Sequence, residues 1–211
     1  MRIGVILASS QREKVPALFE DTQRCARGHE VFCFGCAENE EGTYSYIDIS
    51  VLAGLLLNSR AVDFVVTGCS SGQGMMLACN SMPGVLCGYA PTPRDAYLFG
   101  QINDGNAISL PLGEEYTFGG FENLSRTLEA LFSEPFGQGW PKDQAARKLK
   151  DTALLKSIRK ASQVSFLSLL DRLDRDLIRK ALGKKDVIRF ILEHGGDAEI
   201  SGWIRRREQD L

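Results

Sequence analysis

Five short runs of β-branched and aromatic residues, alternating with segments of helical period, predict an α/β fold: a doubly wound five-stranded parallel sheet with helices on both faces and a C-terminal helical extension. Three observations carry this reading. The runs recur at the cadence of βαβ units. A loop of small residues, Gly68-Cys69-Ser70-Ser71-Gly72-Gln73-Gly74, joins a strand-like run to a helix-like one. The alternation stops at Phe136-Gly137-Gln138-Gly139-Trp140-Pro141, beyond which only amphipathic helical periods remain.

Arg2 to Ala8 reads as a buried first strand. Ser9-Ser10 followed by Gln11-Arg12-Glu13 reads as a loop with an N-cap candidate, ahead of a helix with Pro16 in its first turn and Leu18, Phe19 and Thr22 along it to Cys25. Gly28 closes that helix, and His29 to Phe34 reads as the second strand. A polar loop from Ala37 to Tyr44 leads to a helix over Ile47 to Ser59, with Val51, Leu52, Leu55 and Leu56 on one face. The remaining strands are Ala61–Thr67, Gly84–Tyr89 and Ala107–Pro111. Helices follow the glycine loop, open after Pro91-Thr92-Pro93, and run from Phe118 to Phe132. Residues 1–140 thus form the sheet domain, a Rossmann-like three-layer sandwich, and residues 141–211 the extension. Its helices are expected at 142–160, 162–182 and 184–194. Leu167, Leu170, Leu173, Leu177 and Ile178 make a stripe that packs on the sheet domain or on a partner subunit.

Composition is that of a globular chain, 44% hydrophobic and 25% charged. The net charge of −2 conceals an asymmetry, with 8 Lys and Arg against 16 Asp and Glu in residues 1–140 and 17 against 11 thereafter. In the extension the signs alternate, as in Asp171-Arg172-Leu173-Asp174-Arg175-Asp176, which marks a solvated helix face rather than a nucleic-acid surface. There is no apolar run of membrane length, and Met1–Ala8 is too short for a signal peptide. A cytoplasmic protein with six reduced cysteines and no membrane partner is expected.

The glycine loop points backbone N–H groups and a helix N-terminus at one spot. It is not a P-loop, since no Gly-Lys-Ser/Thr follows. It is a poor dinucleotide fingerprint, with Leu77 in the third glycine position and no acidic residue some 20 positions on. No cofactor is expected. What the loop offers is an oxyanion hole, the amides of Ser70 to Gly74 around the Cys69 sulfur. A helix N-terminus favours a thiolate, so Cys69 could act as nucleophile or general base; the alternative is a small residue packed under a tight turn. Cys25, His29, Cys33 and Cys36 have zinc-ligand chemistry, but their predicted elements do not converge, and no metal site is expected. Asn103-Asp104-Gly105-Asn106 reads as a turn, placed with Ser9 and Pro91-Thr92-Pro93 at the ligand end of the sheet.

The loop, together with Ala78-Cys79-Asn80, Pro83-Gly84-Val85 and Asn103-Asp104-Gly105-Asn106, resembles the ribose-5-phosphate isomerase B family, which includes the galactose-6-phosphate isomerase subunits. The resemblance covers about residues 1–140. It implies metal-free, cofactor-free interconversion of an aldose phosphate and a ketose phosphate through a cis-enediolate. Cys69 would be the proton-transfer base and Ser71 a hydroxyl assisting ring opening. Ser9, Tyr46, Ser70, Gly72, Gln73, Gly74 and Asn80 would contact the sugar phosphate. Asn103 would come from the other subunit, so a homodimer or higher assembly with shared active sites is implied. Four positions depart from the family. Ile102 replaces the ring-opening histidine, Ala8-Ser9 an Asp-His pair, and Gly113 a phosphate arginine. Lys142 and Arg147, or Arg205-Arg206-Arg207, are the nearest substitutes for the phosphate grip. The substrate is therefore expected to be another sugar phosphate or an already open-chain sugar, with a non-catalytic sugar-phosphate-binding protein as the alternative. Truncation after about residue 160 should raise KM if the extension grips the phosphate.

Overall fold

A computed structural model describes residues 1–36, 40 and 42–209. Of the polar loop expected from Ala37 to Tyr44, residues 37–39 and 41 lie outside the described residues. Strands β1 (Arg2–Val5), β2 (Glu30–Cys33), β3 (Phe64–Cys69), β4 (Cys87–Tyr89) and β5 (Ala107–Pro111) form one all-parallel sheet in the order β2-β1-β3-β5-β4. β3 lies at its centre, buried from Phe64 to Gly68, which explains its unbroken apolar character. The chain leaves β1 for β2 on one side and reaches β3 on the other. That reversal opens a crevice at the carboxyl ends of β1 and β3.

Each face of the sheet carries its own core. On one, α1 (Val15–Cys25), α4 (Pro93–Leu98) and α5 (Gly120–Leu131) set Leu18, Ala96, Leu124 and Leu128 against Ile3, Val5, Val66 and Ile108. On the other, α2 (Tyr46–Asn58) and α3 (Gln73–Asn80) cover Ile6 and Val65. α2 is buried at every position from Asp48 to Leu57, because a further helical layer lies on its outer side.

That layer is the extension, made of α6 (Ala145–Ser162), α7 (Phe166–Leu170), α8 (Arg175–Leu182), α9 (Lys185–His194) and α10 (Ala198–Gln209). Phe166, Leu170, Leu182, Ile188, Ile191 and Ile204 share one continuous core with α2 of the same chain. Gly54 makes the fit possible, since a Cβ there would stand 2.8 Å from the Phe166 ring. The helix expected over 162–182 is two helices. Asp174 accepts the N–H groups of Asp176 and Leu177 and starts α8 afresh. α10 was not anticipated.

α6 runs differently. Only Thr152 is buried, and Leu149, Leu154, Leu155 and Ile158 face outward. It is tied to the amino ends of β4 and β5, where Thr152 donates to the Ile102 carbonyl (2.6 Å), Arg159 to the Val85 carbonyl (2.5 Å), and Lys156 pairs with Asp104 (2.6 Å). The Asn103–Asn106 segment corrects an expectation. It immediately precedes β5 and so lies at the amino end of the sheet, opposite the glycine loop. In a parallel sheet the segments entering strands and those leaving them lie at opposite ends. Among the described residues no helix is long and apolar enough to cross a membrane.

Candidate active site

Cys69 ends β3, and the chain turns at once: the Gly72 N–H donates to the Cys69 carbonyl at 3.2 Å. Gly72 has φ +75°, and a Cβ there would meet the Pro111 nitrogen and the Tyr89 ring, each at 2.8 Å; no other residue fits. The fully buried Ser109 hydroxyl donates to the Gly72 carbonyl (2.6 Å). The amides of Leu112 and Gly113 donate to the carbonyls of Cys69 and Ser70, each at 2.9 Å. The loop is thus clamped from β5. The first bond involving α3 runs from the Met76 N–H to the Gly72 carbonyl, which leaves the amides of Gln73, Gly74 and Met75 without helix acceptors.

Beside this turn lies a cavity of about 510 Å³, a size that suits a small molecule. Cys69, Ser70, Ser71 and Gly74 form its floor, with Ser9 and Ser10 from the end of β1 along one side. Tyr44 and Tyr46, Tyr116, and Lys180 of α8 complete it. Cys69 is partly exposed to it. Ser70 is positioned from behind, where the buried Gln11 side chain donates Nε2–H to its hydroxyl at 2.9 Å.

Tyr44 is bound to the segment after β1 by two hydrogen bonds, from the Ser9 N–H to the Tyr44 carbonyl and from the Tyr44 N–H to the Ser9 hydroxyl, both 2.8 Å. Ser45 and Asp48 then cap α2 reciprocally. Lys180 reaches the Asp48 carboxylate at 2.7 Å. The fully buried Lys184 pairs with Glu40 (2.6 Å) and Asp186 (3.3 Å) and lies over the Tyr44 ring. Burial first, then the Glu40 carboxylate, pushes the Tyr44 hydroxyl up to about 12, so at neutral pH it remains a hydrogen-bond donor.

Of the residues singled out from sequence, Cys69, Ser71, Ser9, Tyr46, Ser70 and Gly74 meet at this cavity. Gly72 shapes the turn from beneath, and Gln73 is exposed outside the lining. Asn80 serves the scaffold: its amide donates to the Met76 and Cys87 carbonyls and accepts the Cys87 N–H. Asn103 is at the far end of the sheet. Lys142 pairs with Glu134, and Arg147 with Asp151 and Gln144; neither lines the cavity of its own chain. Sequence reading missed Gln11, Tyr44, Tyr116 and Lys180. The Ser45-x-x-Asp48 capping box signals a helix start just after the second strand, hence at the ligand end, and could have drawn attention to Tyr44. Nothing comparable marks Lys180.

A family profile described as Ribose/Galactose Isomerase matches residues 9–149, the span that carries the turn and the cavity floor. The chain belongs to the ribose/galactose isomerase family. Its full length is similar to a 4-deoxy-L-threo-5-hexosulose-uronate ketol-isomerase crystallised with tartrate, at 35% identity and TM-score 0.93, all of both chains being covered. A ribose-5-phosphate isomerase from Vibrio parahaemolyticus is also 35% identical, with TM-score 0.91 and 98% of each chain covered. The type B ribose 5-phosphate isomerase of Trypanosoma cruzi shares the fold at 19% identity and TM-score 0.64. It is covered over 99% of its length by 76% of this chain. No curated protein matches.

In this isomerase the four zinc-like residues face separate partners. Cys36 donates to the Leu7 carbonyl (3.2 Å), Cys25 to the Ser125 carbonyl (3.8 Å), Cys33 is exposed, and His29 Nδ1 lies 3.1 Å from the N-terminal nitrogen. Among the described residues no three His, Cys, Asp or Glu side chains gather as a metal site.

Proposed function

We propose that this sugar isomerase shifts a proton between C1 and C2 of an open-chain sugar acid, with Cys69 as the base. The observation that carries the reading is Cys69 itself, bordering the cavity in a clamped turn beside Gly74, one of the α3 residues whose amide has no helix acceptor. The Cys69 thiolate removes the C2 proton of the aldose, and charge moves onto O1 of a cis-enediolate. The loop amides stabilise that oxygen, and the Ser71 hydroxyl passes a proton between O1 and O2. The Cys69 thiol then returns its proton to C1, giving the ketose.

The substrate class is supported by the chemistry the site omits. Ile102, which stands where the family resemblance puts a ring-opening histidine and which, like Asn103, could reach only another copy's cavity, cannot protonate a ring oxygen, and no arginine lines the cavity among the described residues. The uronate of the full-length relative's name has an aldehyde at C1, a ketone at C5, a carboxylate at C6 and no hydroxyl at C4. Its C1 aldehyde has neither a C4 nor a C5 hydroxyl to close upon, so no ring needs opening. A sugar phosphate is the second reading, favoured by the ribose-5-phosphate isomerase of equal identity.

Assembly belongs to the same proposal. Asn103 reaches a sugar only in another copy's cavity, since its own lies at the opposite end of the sheet. The exposed Tyr46, Ile47 and Leu77 around α2 and α3, and Leu154, Leu155 and Ile158 on α6, provide apolar surface for a homodimer. Six free cysteines support a cytoplasmic location.

The test is exchange of the C2 proton with deuterated solvent, followed by NMR. The panel is 4-deoxy-L-threo-5-hexosulose-uronate, ribose 5-phosphate and galactose 6-phosphate. Exchange with the uronate, abolished by Cys69→Ala while tartrate still binds, is expected. Exchange confined to a phosphate would replace the substrate class, and no exchange with any of the three would end the isomerase reading.

A further inference from the structure

We propose that Lys180, supplied by the helical extension, is the cation that receives the carboxylate of the substrate. The substrate rests on the isomerase reading above; the site stands on its own geometry. Among the described residues Lys180 is the only basic side chain lining the cavity, whose other walls are hydroxyls, the Cys69 sulfur, aromatic rings and backbone. An acid bound beside Cys69 has one ammonium to meet.

That ammonium is held in place. Asp48, its side chain 6% exposed, already accepts the Ser45 N–H (2.6 Å) and Ser45 hydroxyl (2.8 Å), and takes Lys180 Nζ at 2.7 Å. An ammonium has three N–H donors, and the Asp48 bond uses one. The Lys180 side chain is 44% exposed, which leaves the others open to a ligand. A lysine tethered at its tip loses little further freedom when it binds, unlike a free surface lysine. Lys184, between α8 and α9, is the contrast: it is buried and already paired with two carboxylates, Glu40 and Asp186.

Charge balance selects among acids. With Asp48 beside it, the Lys180 site carries no net charge, so it grips by directed hydrogen bonds rather than by a strong field. A carboxylate group, with one charge shared by two oxygens as at each end of tartrate, fits this better than a phosphate group, which carries two charges at one place and needs an excess of cations. The position also fits the comparisons. Lys180 lies beyond the family-wide span of residues 9–149, and the Trypanosoma cruzi isomerase has no counterpart for about a quarter of this chain. The extension thus adds an ammonium to a cavity whose floor lies within that shared span.

The test compares full-length wild type, Lys180→Met and Lys180→Arg, with tartrate binding by calorimetry, uronate turnover and thermal melting. Lys180→Met is expected to weaken tartrate binding and raise KM for the uronate by about 10-fold or more, the usual worth of a charged hydrogen bond. kcat should change less than about 3-fold, since no contact specific to the transition state is lost. Lys180→Arg should recover most of the affinity because it restores the charge, whereas a purely structural role for the methylene stem would leave Lys180→Met unaffected as well. A Lys180→Met protein that melts like wild type and binds tartrate equally well overturns the proposal. So does a wild type that binds neither tartrate nor uronate. Tartrate binding that depends on Lys180, in a protein that exchanges no C2 proton, would overturn the reaction while supporting the acid site.

Discussion

Gln11 donates to the Ser70 hydroxyl at 2.9 Å across 59 residues of chain, joining the segment after β1 to the turn after β3. Gln11 is only 8% exposed, so the bond is shielded from water and fixes the turn's second residue. Gln11→Leu keeps the volume and removes the donor. We expect kcat to fall by about 10-fold with a small loss of stability, near 1 kcal/mol, by steady-state kinetics and denaturant melts.

Thiol chemistry should single out Cys69. Burial pushes the Cys36 thiol up, and the Cys87 thiol is raised first by its hydrogen bond with Cys79 and then by burial, so both resist alkylation at neutral pH. Iodoacetamide is expected to label exposed Cys33 and partly exposed Cys69 first. Loss of activity should follow the Cys69 label by mass spectrometry and be slowed by tartrate, with Cys33→Ser behaving as wild type. Full activity in protein completely labelled at Cys69 would remove it as the base.

Thr67, two residues before Cys69 in β3, buries a hydroxyl with no hydrogen-bond partner among the described residues. Thr67→Val keeps the shape and removes the unmet polar group. A gain of about 1 kcal/mol is expected, seen as a rise of about 2–4 °C in Tm.

Asp171 accepts hydrogen bonds from the Trp203 indole (2.8 Å) and Arg207 (2.9 Å), and these partners, in that order, lower its pKa below the ordinary 3.8. A depressed carboxylate stabilises the fold above its unfolded pKa and loses that contribution as pH falls through the folded value. The bond between the end of α7 and α10 should therefore be complete at neutral pH and weaken below pH 3.8. Asp171→Asn should remove this part of the acid dependence of Tm and leave the rest.

Truncation after residue 160 should fail to give soluble protein. It would strip Phe166, Leu170, Ile191 and Ile204 from α2, each worth about 1.5–3 kcal/mol, against a total stability of about 5–15 kcal/mol. The KM comparison foreseen for such a truncation is better made with Lys180 variants of the whole chain.

The sheet and the reactive turn were legible because both are local. β-branched runs, Gly72 and the cysteine at the strand end announce themselves within a dozen residues. Lys180 was hidden because its role depends on a contact with Asp48 across 132 residues, within a helix whose alternating charges look like any solvated surface. The far placement of Asn103 was legible too, since the strand read over Ala107–Pro111 follows it directly and a segment entering a parallel strand lies at the amino end of the sheet. The break at Asp174 was missed because the leucine stripe continues across it, and the cap is visible only as hydrogen bonds to Asp176 and Leu177.

The placement of Cys69 and Asn103 at opposite ends of the sheet has a genetic corollary. If a working site draws on both, they come from different copies, and a chain lacking one can be rescued by a chain lacking the other. Cys69→Ala and Asn103→Ala proteins, each inactive alone, should regain activity when unfolded together and refolded. Every mixed pair carries one site with both residues intact and one with neither, so the defect is recessive in the mixture.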